Sequence, residues 1–504
     1  MARGKTAWLL LAVVALLGGG TPAAVAKPSA VKRTIGSASV PIPRSFAGLS
    51  IEYPSTQDYF GTPGKPNVAF IQLLRTLGQN GAGPPTIRLG GNSGDASWWN
   101  PDGAARPPGV DTDLTPPWLS TLGTVSRESG ARFVLGGNFA IADAANAVSY
   151  LGAAVAALPK GAIEAFEIGN EADLYDRAST FHVGNLTLTR PQRRPVGYGV
   201  PQYLAEADRY VAALNAARGP DWPPLAVGGF AQHAWQVQAP AILAHLGSAA
   251  RYFQSHGYPL NRCRTARVPG DRWRKALLGP TGTLPVARAG RLVREVRPRG
   301  VSVRVSEINS ATCGGAQGVS DSFASALWGA DVLFGMAEAG VVGVNLHSWS
   351  GAWYSPIAFT PPAAGSVATV HPLLYGMLLF DRAVVNGARL LRVNQRRSDP
   401  VKVWATRDRK RTVRVVVMNK DPRRATVVSL KLPRRLGTGR LQRLAAPKLA
   451  SRSGVTFAGQ SFERGPFDGR LHGAARQSRV KPRGRMYSIR LGPASAALLT
   501  VRAG

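Results

Sequence analysis

Two glutamates stand where chemistry could be done. Glu171 ends the run Glu167-Ile168-Gly169-Asn170-Glu171, and Glu307 lies near the end of Val303-Arg304-Val305-Ser306-Glu307-Ile308-Asn309, each following a short apolar segment. A carboxylate at a buried strand terminus is costly unless it is paired or used. Glycosidic hydrolysis uses two of them: one protonates the leaving oxygen, and the other attacks the anomeric carbon or activates water. Side chains alternate in direction along a strand, so Glu167 also qualifies as an inward-facing residue. Glu171 is preferred because it lies past the apolar run, beside Asn170, whose amide can hold a sugar hydroxyl. For either glutamate alone, a structural ion pair is an equally good account.

The segments carrying these residues belong to a larger pattern. From about Phe46 to about Ser348, the apolar runs FAGLSIEY, PTIRLGG, ARFVLGGN, AIEAFEIGN, PLAVGGF, ARYFQSHGY, VSVRVSE and GVVGVNLHS alternate with stretches of helical periodicity such as NVAFIQLLRTLGQ and ADAANAVSYLGAAVAAL. Eight such units predict an α/β fold, a (β/α)8 TIM barrel, whose strand ends form the face on which barrel enzymes assemble their sites. After about Phe380 come the alternating runs VKVWAT, RTVRVVVMN, ATVVSLKLP, GVTFAG, RMYSIRL and ASAALLTV, which predict a C-terminal antiparallel β-sandwich domain. The expected organisation is therefore a signal peptide at 1–26, a strand within 27–45 contributed to the sandwich, the barrel at 46–380 and the sandwich at 381–504. Stretches near Thr180–Val200 and Arg262–Leu284, rich in Gly, Pro and Arg, read as long barrel loops beside the site.

Composition narrows the function classes. Arg3 and Lys5 precede an apolar run from Ala7 to Leu17, followed by small residues ending at Ala26, the architecture of a cleaved secretory signal. The run is shorter than the roughly 20 residues that span a bilayer, so a secreted chain with no membrane attachment after cleavage is expected. Cys263 and Cys313 are the two cysteines of an exported chain, which favours a disulfide over free thiols and makes a poor zinc site; no metal and no cofactor are expected. The formal net charge of +34 would gather polyanions. Arg and Lys are spread along the chain without a nucleic-acid motif, so an acidic polysaccharide is favoured over nucleic acid; compositional bias accounts for the charge equally well.

Several motifs together resemble glycoside hydrolase family 79, the β-glucuronidase and heparanase family. They are Arg88-Leu89-Gly90-Gly91-Asn92-Ser93-Gly94-Asp95, Glu167 to Asp173, His256-Gly257-Tyr258, Ser306-Glu307-Ile308-Asn309 leading into Cys313-Gly314-Gly315, and Trp353-Tyr354-Ser355-Pro356. The resemblance implies a retaining β-glucuronidase that releases terminal glucuronic acid, with Glu171 as acid/base and Glu307 as nucleophile. It implies carboxyls about 5 to 5.5 Å apart, against roughly 6.5 to 9.5 Å in an inverting enzyme. Tyr258 would donate to Glu307, and Gly314, Gly315 and Tyr354 would hold the substrate carboxylate. A Cys263–Cys313 bridge would brace that loop.

Glu52, Asn92 and Asp95 are expected to bind ring hydroxyls, although Asp95 also suits a helix cap. Asn345 and His347 are expected to line the site, His347 not as a catalyst, and Trp98, Trp99, Trp349 and Trp353 to stack on sugars or pack in the core. The expected partner is a uronic-acid-containing oligo- or polysaccharide acted on by a monomer. No heparanase-like excised linker is evident, which favours exo action. Rival readings are an arabinofuranosidase or xylosidase on the same barrel, or a non-catalytic polyanion-binding protein.

Overall fold

A closed ring of eight parallel strands forms the larger half of the molecule. The computed structural model describes residues 28–183, 186–263, 269–359, 368–385 and 387–502; the expected signal peptide lies outside them. The chain opens with β1 (Ser29–Pro41). The barrel is then built from β2 (Ala47–Glu52), β3 (Ile87–Gly90), β4 (Phe133–Gly137) and β5 (Ile163–Ile168). After a hairpin of β6 (Ser179–Val183) and β7 (Leu186–Arg190), it continues through β8 (Leu225–Phe230), β9 (Ala250–Gly257), β10 (Ser302–Ile308) and β11 (Gly343–Ser348). Each of the eight apolar runs coincides with one barrel strand.

Helices cover the ring and follow local signals. In α1 (Val68–Gly78) the Asn67 side chain accepts from the Phe70 N–H at 3.0 Å, and in α2 (Ala144–Ala157) Asp143 accepts from Asn146 at 2.9 Å. Two segments read as loops are structured. Part of Thr180–Val200 is the β6–β7 hairpin, and Arg262–Leu284 contains α3 (Gly270–Leu278). Their charged and glycine-rich compositions hid short elements that carry little apolar periodicity. Further on, α4 (Phe323–Ala339) and α5 (Leu373–Ala383) are buried over almost their whole lengths.

Backbone irregularity decides which side chains reach the barrel axis. Val303 and Val305 on β10 face the helices, and Arg304 faces inward, where its Nε donates to Asn345 at 3.0 Å. Strict alternation would then send residue 307 outward. The register against β9 instead steps from Ser255↔Val305 to His256↔Glu307, and a second shift occurs against β11. This bulge at Ser306 resets the alternation and turns Glu307 to the axis.

The remaining strands are β12 (Arg389–Val393), β13 (Val401–Arg407), β14 (Val413–Asn419), β15 (Thr426–Lys431), β16 (Gly439–Ala445), β17 (Thr456–Phe457), β18 (Ser478–Val480), β19 (Met486–Leu491) and β20 (Ser495–Val501). They pair in the order β17-β16-β20-β14-β13-β12-β1-β15-β19, with β18 on β16. One junction corrects the antiparallel expectation. Ser29 to Thr34 of β1 run parallel to β15, while Ile35 to Pro41 run antiparallel to β12, so a single strand crosses between two sheets. Val403, Ala405, Val415, Val417, Ala497 and Leu499 face the sandwich core; Trp404, Val416, Met418, Ala496 and Leu498 face the barrel. Trp404 stacks on Phe334 of α4 with centroids 5.7 Å apart and donates its indole N–H to Asp331 at 2.9 Å; Lys420 reaches the other Asp331 oxygen at 2.9 Å.

Candidate active site

Arg88 organises the floor of the strand-end face. A guanidinium on a barrel strand has no water to donate to and must find acceptors. Its Nε and one Nη donate to the two oxygens of Glu167 at 2.7 and 2.6 Å. The same Nη reaches Asn170 Oδ1 at 2.8 Å, and the other Nη reaches Glu307 Oε2 at 2.9 Å and Ser50 Oγ at 3.1 Å. Gln254, with its amide nitrogen turned to the carboxylate, donates to both Glu167 oxygens at 2.9 and 3.0 Å. Glu167 is fully buried and fully paired, so it holds the barrel together and Glu171 is left as the available carboxyl.

Glu171 is carried beyond β5 by two left-handed residues. Gly169 has φ +74, and a Cβ there would come within 2.7 Å of Phe139. Glu171 itself has φ 46, with its N–H on the Gly229 carbonyl at 3.0 Å; positive φ on a non-glycine residue is strain of a kind that collects at functional sites. Its side chain keeps 13% exposure and lies in hydrogen-bond contact with His256 Nδ1 at 2.9 Å.

Glu307 stands in a different field. Tyr258 donates to Oε1 at 2.6 Å, His347 Nδ1 lies 3.1 Å from the same oxygen, and Arg88 holds Oε2. Burial alone would push this carboxyl up; His347, His256 and Arg88 outweigh it and hold it well below the usual carboxylate range. His347 responds in kind: burial disfavours its charge, but Glu307 and Glu52 raise it to about 10. Burial, then the charge of Glu307, keeps the Tyr258 and Tyr354 hydroxyls protonated.

A carboxylate oxygen of Glu171, one of Glu307 and a ring nitrogen of His256 all lie within 4.8 Å of one another. Those three ligand atoms could in principle hold a cation. Arg88, His347 and Tyr258 already surround the Glu307 carboxylate with positive charge and O–H donors, which opposes one. This approach is that of a retaining pair, at about 5 to 5.5 Å, and falls short of the roughly 6.5 to 9.5 Å of an inverting one. One is locked as an anion by three donors, and the other touches only a histidine.

Other expected residues fall into distinct groups. The Asn170 carbonyl is held by Arg88, and its amide nitrogen has no protein partner among the described residues. Glu52 accepts from the Asn92 N–H at 3.2 Å, the Ser93 N–H at 2.8 Å, the Ser93 hydroxyl and His347 Nε2 at 3.1 Å, so its four lone-pair positions are taken within the protein. Asp95 is buried and accepts from Tyr175 at 2.5 Å; burial pushes its carboxyl up to about 7. It lies inside a 3-10 turn and caps no helix through its side chain. Asn92 is half-buried on that turn.

Asn345 must be moved out of the site. Its amide donates to the Leu49 and Thr86 carbonyls at 2.9 Å each, its oxygen accepts from Arg304, and it is fully buried. It therefore sits deeper in the barrel, towards the start of β3. Trp99 is likewise buried, stacked on Tyr150, and offers no sugar platform. Trp98, Trp349 and Trp353 are half-buried.

The loop after β10 is stapled by the Cys263–Cys313 disulfide. Cys313, Gly314 and Gly315 have φ of 52, 73 and 86. A Cβ on Gly314 would come within 2.5 Å of Val183 on the hairpin. The Gly315 N–H is taken by the Thr312 carbonyl at 3.2 Å, whereas the Gly314 N–H has no acceptor among the described residues. Trp353 N–H donates to the Gly314 carbonyl at 2.8 Å, which brings Tyr354 beside this loop. The sequence assigned no role to Arg88, His256, Ser50 or Gln254, and His347 was expected only to line the site, where its contacts with Glu52 and Glu307 now place it. A lone Arg inside the apolar run PTIRLGG was the available signal for the first.

Residues 403–498 match the model of the glycosyl hydrolase family 79 C-terminal beta domain. A β-glucuronidase of Aspergillus niger is 25% identical over 407 residues, spanning 76% of this chain and 72% of that relative. A β-glucuronidase of Neurospora crassa is 24% identical over 368 residues, spanning 66% and 63%. The fold resembles that of a 4-O-α-L-rhamnosyl-β-D-glucuronidase from Fusarium oxysporum, with TM-score 0.75, 18% identity and coverage of 94% of this chain and 100% of the other. It also resembles a family 51 arabinofuranosidase from Xanthomonas axonopodis pv. citri, with TM-score 0.65, 15% identity and coverage of 94% and 99%.

Proposed function

We propose, from the membership of this chain in glycoside hydrolase family 79, that it is a retaining β-glucuronidase releasing terminal glucuronic acid by double displacement. The observation that carries this is the approach of Glu171 and Glu307 to within 4.8 Å of each other in unlike surroundings.

Glu307, held ionised by Arg88, His347 and Tyr258, attacks the anomeric carbon while Glu171 gives its proton to the leaving oxygen. Water then displaces the enzyme carboxylate as Glu171 takes its proton back. Arg88 and Tyr258 fix the two nucleophile oxygens so that attack needs little reorganisation. The sugar carboxylate is received by the Gly314 N–H and the Tyr354 hydroxyl, neutral donors that gain strength against an anion. Asn170 offers its free amide nitrogen to a ring hydroxyl. The high positive charge concentrates acidic glycans near the molecule.

Export and a monomeric state belong to the same proposal, and gel filtration of the secreted chain tests both. No helix of the described residues is long and apolar enough to cross a membrane. The activity is tested by hydrolysis of aryl β-glucuronide, glucoside, xyloside and α-arabinofuranoside, with the anomeric configuration of the first product followed by NMR. Preferred turnover of the glucuronide with initial release of the β-anomer is expected. Preference for another sugar would make this an arabinofuranosidase or xylosidase, and inversion would remove Glu307 as nucleophile.

A further inference from the structure

Beyond the positive charge it brings to Glu307, His347 joins three parts of the site. Its Nε2 lies 3.1 Å from Glu52 Oε1. Glu52 already accepts from two backbone N–H groups and a hydroxyl, and an Nε2–H completes the donors around its two oxygens. On the other side, Nδ1 faces three oxygens: Tyr258 at 2.8 Å, Tyr354 at 3.0 Å and Glu307 Oε1 at 3.1 Å.

The proton on Nδ1 follows from counting donors. Tyr258 gives its hydrogen to Glu307 at 2.6 Å. A bare Nδ1 lone pair would therefore point at an anionic oxygen, with only Tyr354 available to supply a proton. A protonated Nδ1 suits all three oxygens at once. The charged groups around the ring are Glu52 from the end of β2 and Glu307 from β10, with Arg88 and His256 beyond Glu307, and the two adjacent carboxylates favour the cation.

Protonation of Nδ1 has a consequence for Tyr354. Its oxygen accepts from the Trp349 indole N–H at 3.0 Å and faces Nδ1–H, so among the described residues its own hydrogen has only the neighbouring Tyr258 oxygen to turn to. Tyr258 is a neutral acceptor, so an anion arriving at the loop of Gly314, whose N–H is without an acceptor among the described residues, can draw that hydrogen to itself. Were His347 neutral at Nδ1, the Tyr354 hydrogen would turn back to the ring, and its oxygen would repel an incoming anion.

We infer that His347 is a positioning residue: held as an imidazolium between Glu52 and Glu307, it turns the Tyr354 O–H outward to the substrate carboxylate, so preference for acidic sugars depends on a histidine acting through tyrosine. This rests on the β-glucuronidase reading, since it presumes a carboxylate to receive. It also separates two effects. Loss of the cation beside Glu307 slows every substrate, whereas loss of Tyr354 orientation slows only those bearing the carboxylate.

The test is the ratio of kcat/KM for 4-nitrophenyl β-glucuronide to that for the β-glucoside, measured in the wild type, His347→Gln, Tyr354→Phe and the double variant. Each single variant is expected to lower the ratio about tenfold or more, the range for a hydrogen bond to a charged group, and the double variant to lower it no further than the worse single. A ratio unchanged in His347→Gln, with both substrates slowed equally, would overturn the inference. A wild type without preference for the glucuronide would instead remove the function it rests on. If His347→Gln does not fold, Glu52→Gln, which keeps the ring and removes its anchor, reads the same ratio with the same two outcomes.

Discussion

Replacing Arg88 by methionine removes the residue that ties β2, β3 and β5 to Glu307 on β10, and the structure fixes what is left behind. Glu167 is fully buried and loses both charge-assisted bonds, retaining only the Gln254 amide. An uncompensated buried charge of this kind costs about 3 to 5 kcal/mol, a large part of the roughly 5 to 15 kcal/mol that stabilises a domain. Glu307 loses one of three donors but keeps Tyr258 and His347. The double variant Arg88→Met/Glu167→Met removes the stranded charge as well and should recover at least about 2 kcal/mol, because apolar replacement of a whole buried pair is often neutral. Urea unfolding followed by tryptophan fluorescence would measure both. Activity should not return with stability: without the guanidinium the Glu307 carboxyl rises towards its ordinary value, so the acidic limb of the pH–rate profile moves up in both variants. Equal stability of the single and double variants would mean that the Arg88–Glu167 pair does not hold the strands, and an unmoved acidic limb would mean that Arg88 does not set the charge of Glu307.

Glu171→Gln should slow hydrolysis of an alkyl glucuronide by about 10²- to 10⁴-fold, the usual worth of general acid catalysis, and spare a dinitrophenyl glucuronide whose leaving group needs no proton in the first step; equal losses on pre-steady-state release would exclude Glu171 as the acid. Asp95 is held protonated up to about pH 7, against 3.8 for an ordinary aspartate. The folded chain thus keeps a proton that the unfolded chain releases, and stability falls as pH rises across that window, by on the order of 4 kcal/mol at most. Asp95→Asn should flatten this dependence in melting curves taken from pH 4 to 8, and an unchanged slope would contradict it. Cys263 and Cys313 enclose a separation of 50 residues, for which chain entropy gives a stabilisation of about 4 kcal/mol. The Cys263→Ser/Cys313→Ser variant should lose up to that amount in urea unfolding and show a raised KM for glucuronide more than for glucoside, because Gly314 adjoins the bridge.

Much of this architecture could be read from the chain because barrel strands buried on both faces are continuous apolar runs that end where function begins. Among the strands that escaped, β12 and β16 carry arginines on their outer face and lack the β-branched alternation of β13 and β14. The two glutamates were legible from their places at run ends. Their orientation was not: Glu307 reaches the axis only through the bulge at Ser306, which no residue type announces, and Glu171 depends on two left-handed residues of which only Gly169 is a recognisable sign. Asn345 illustrates the converse error. It lies on a barrel strand like the site residues, but one level too deep, and depth along a strand is set by stagger between neighbours, which periodicity does not carry. The pairing of Arg88 and His256 with the glutamates, and the bridging place of His347 between Glu52 and Glu307, are visible only once closure brings the strand ends together.

The central strands β13, β14 and β20 have no solvent-facing side. Odd and even positions anchor in two separate interiors, and Trp404 inserts its ring among the aromatic residues of the helical shell. Cutting the chain after α5 would therefore not liberate a minimal enzyme; it would strip α4 and α5 of their cover and bare a greasy flank fit for aggregation. Heating should melt the molecule in one calorimetric step, and directed evolution aimed at the sandwich would alter the thermal endurance of a reaction carried out on the strand-end face of the barrel.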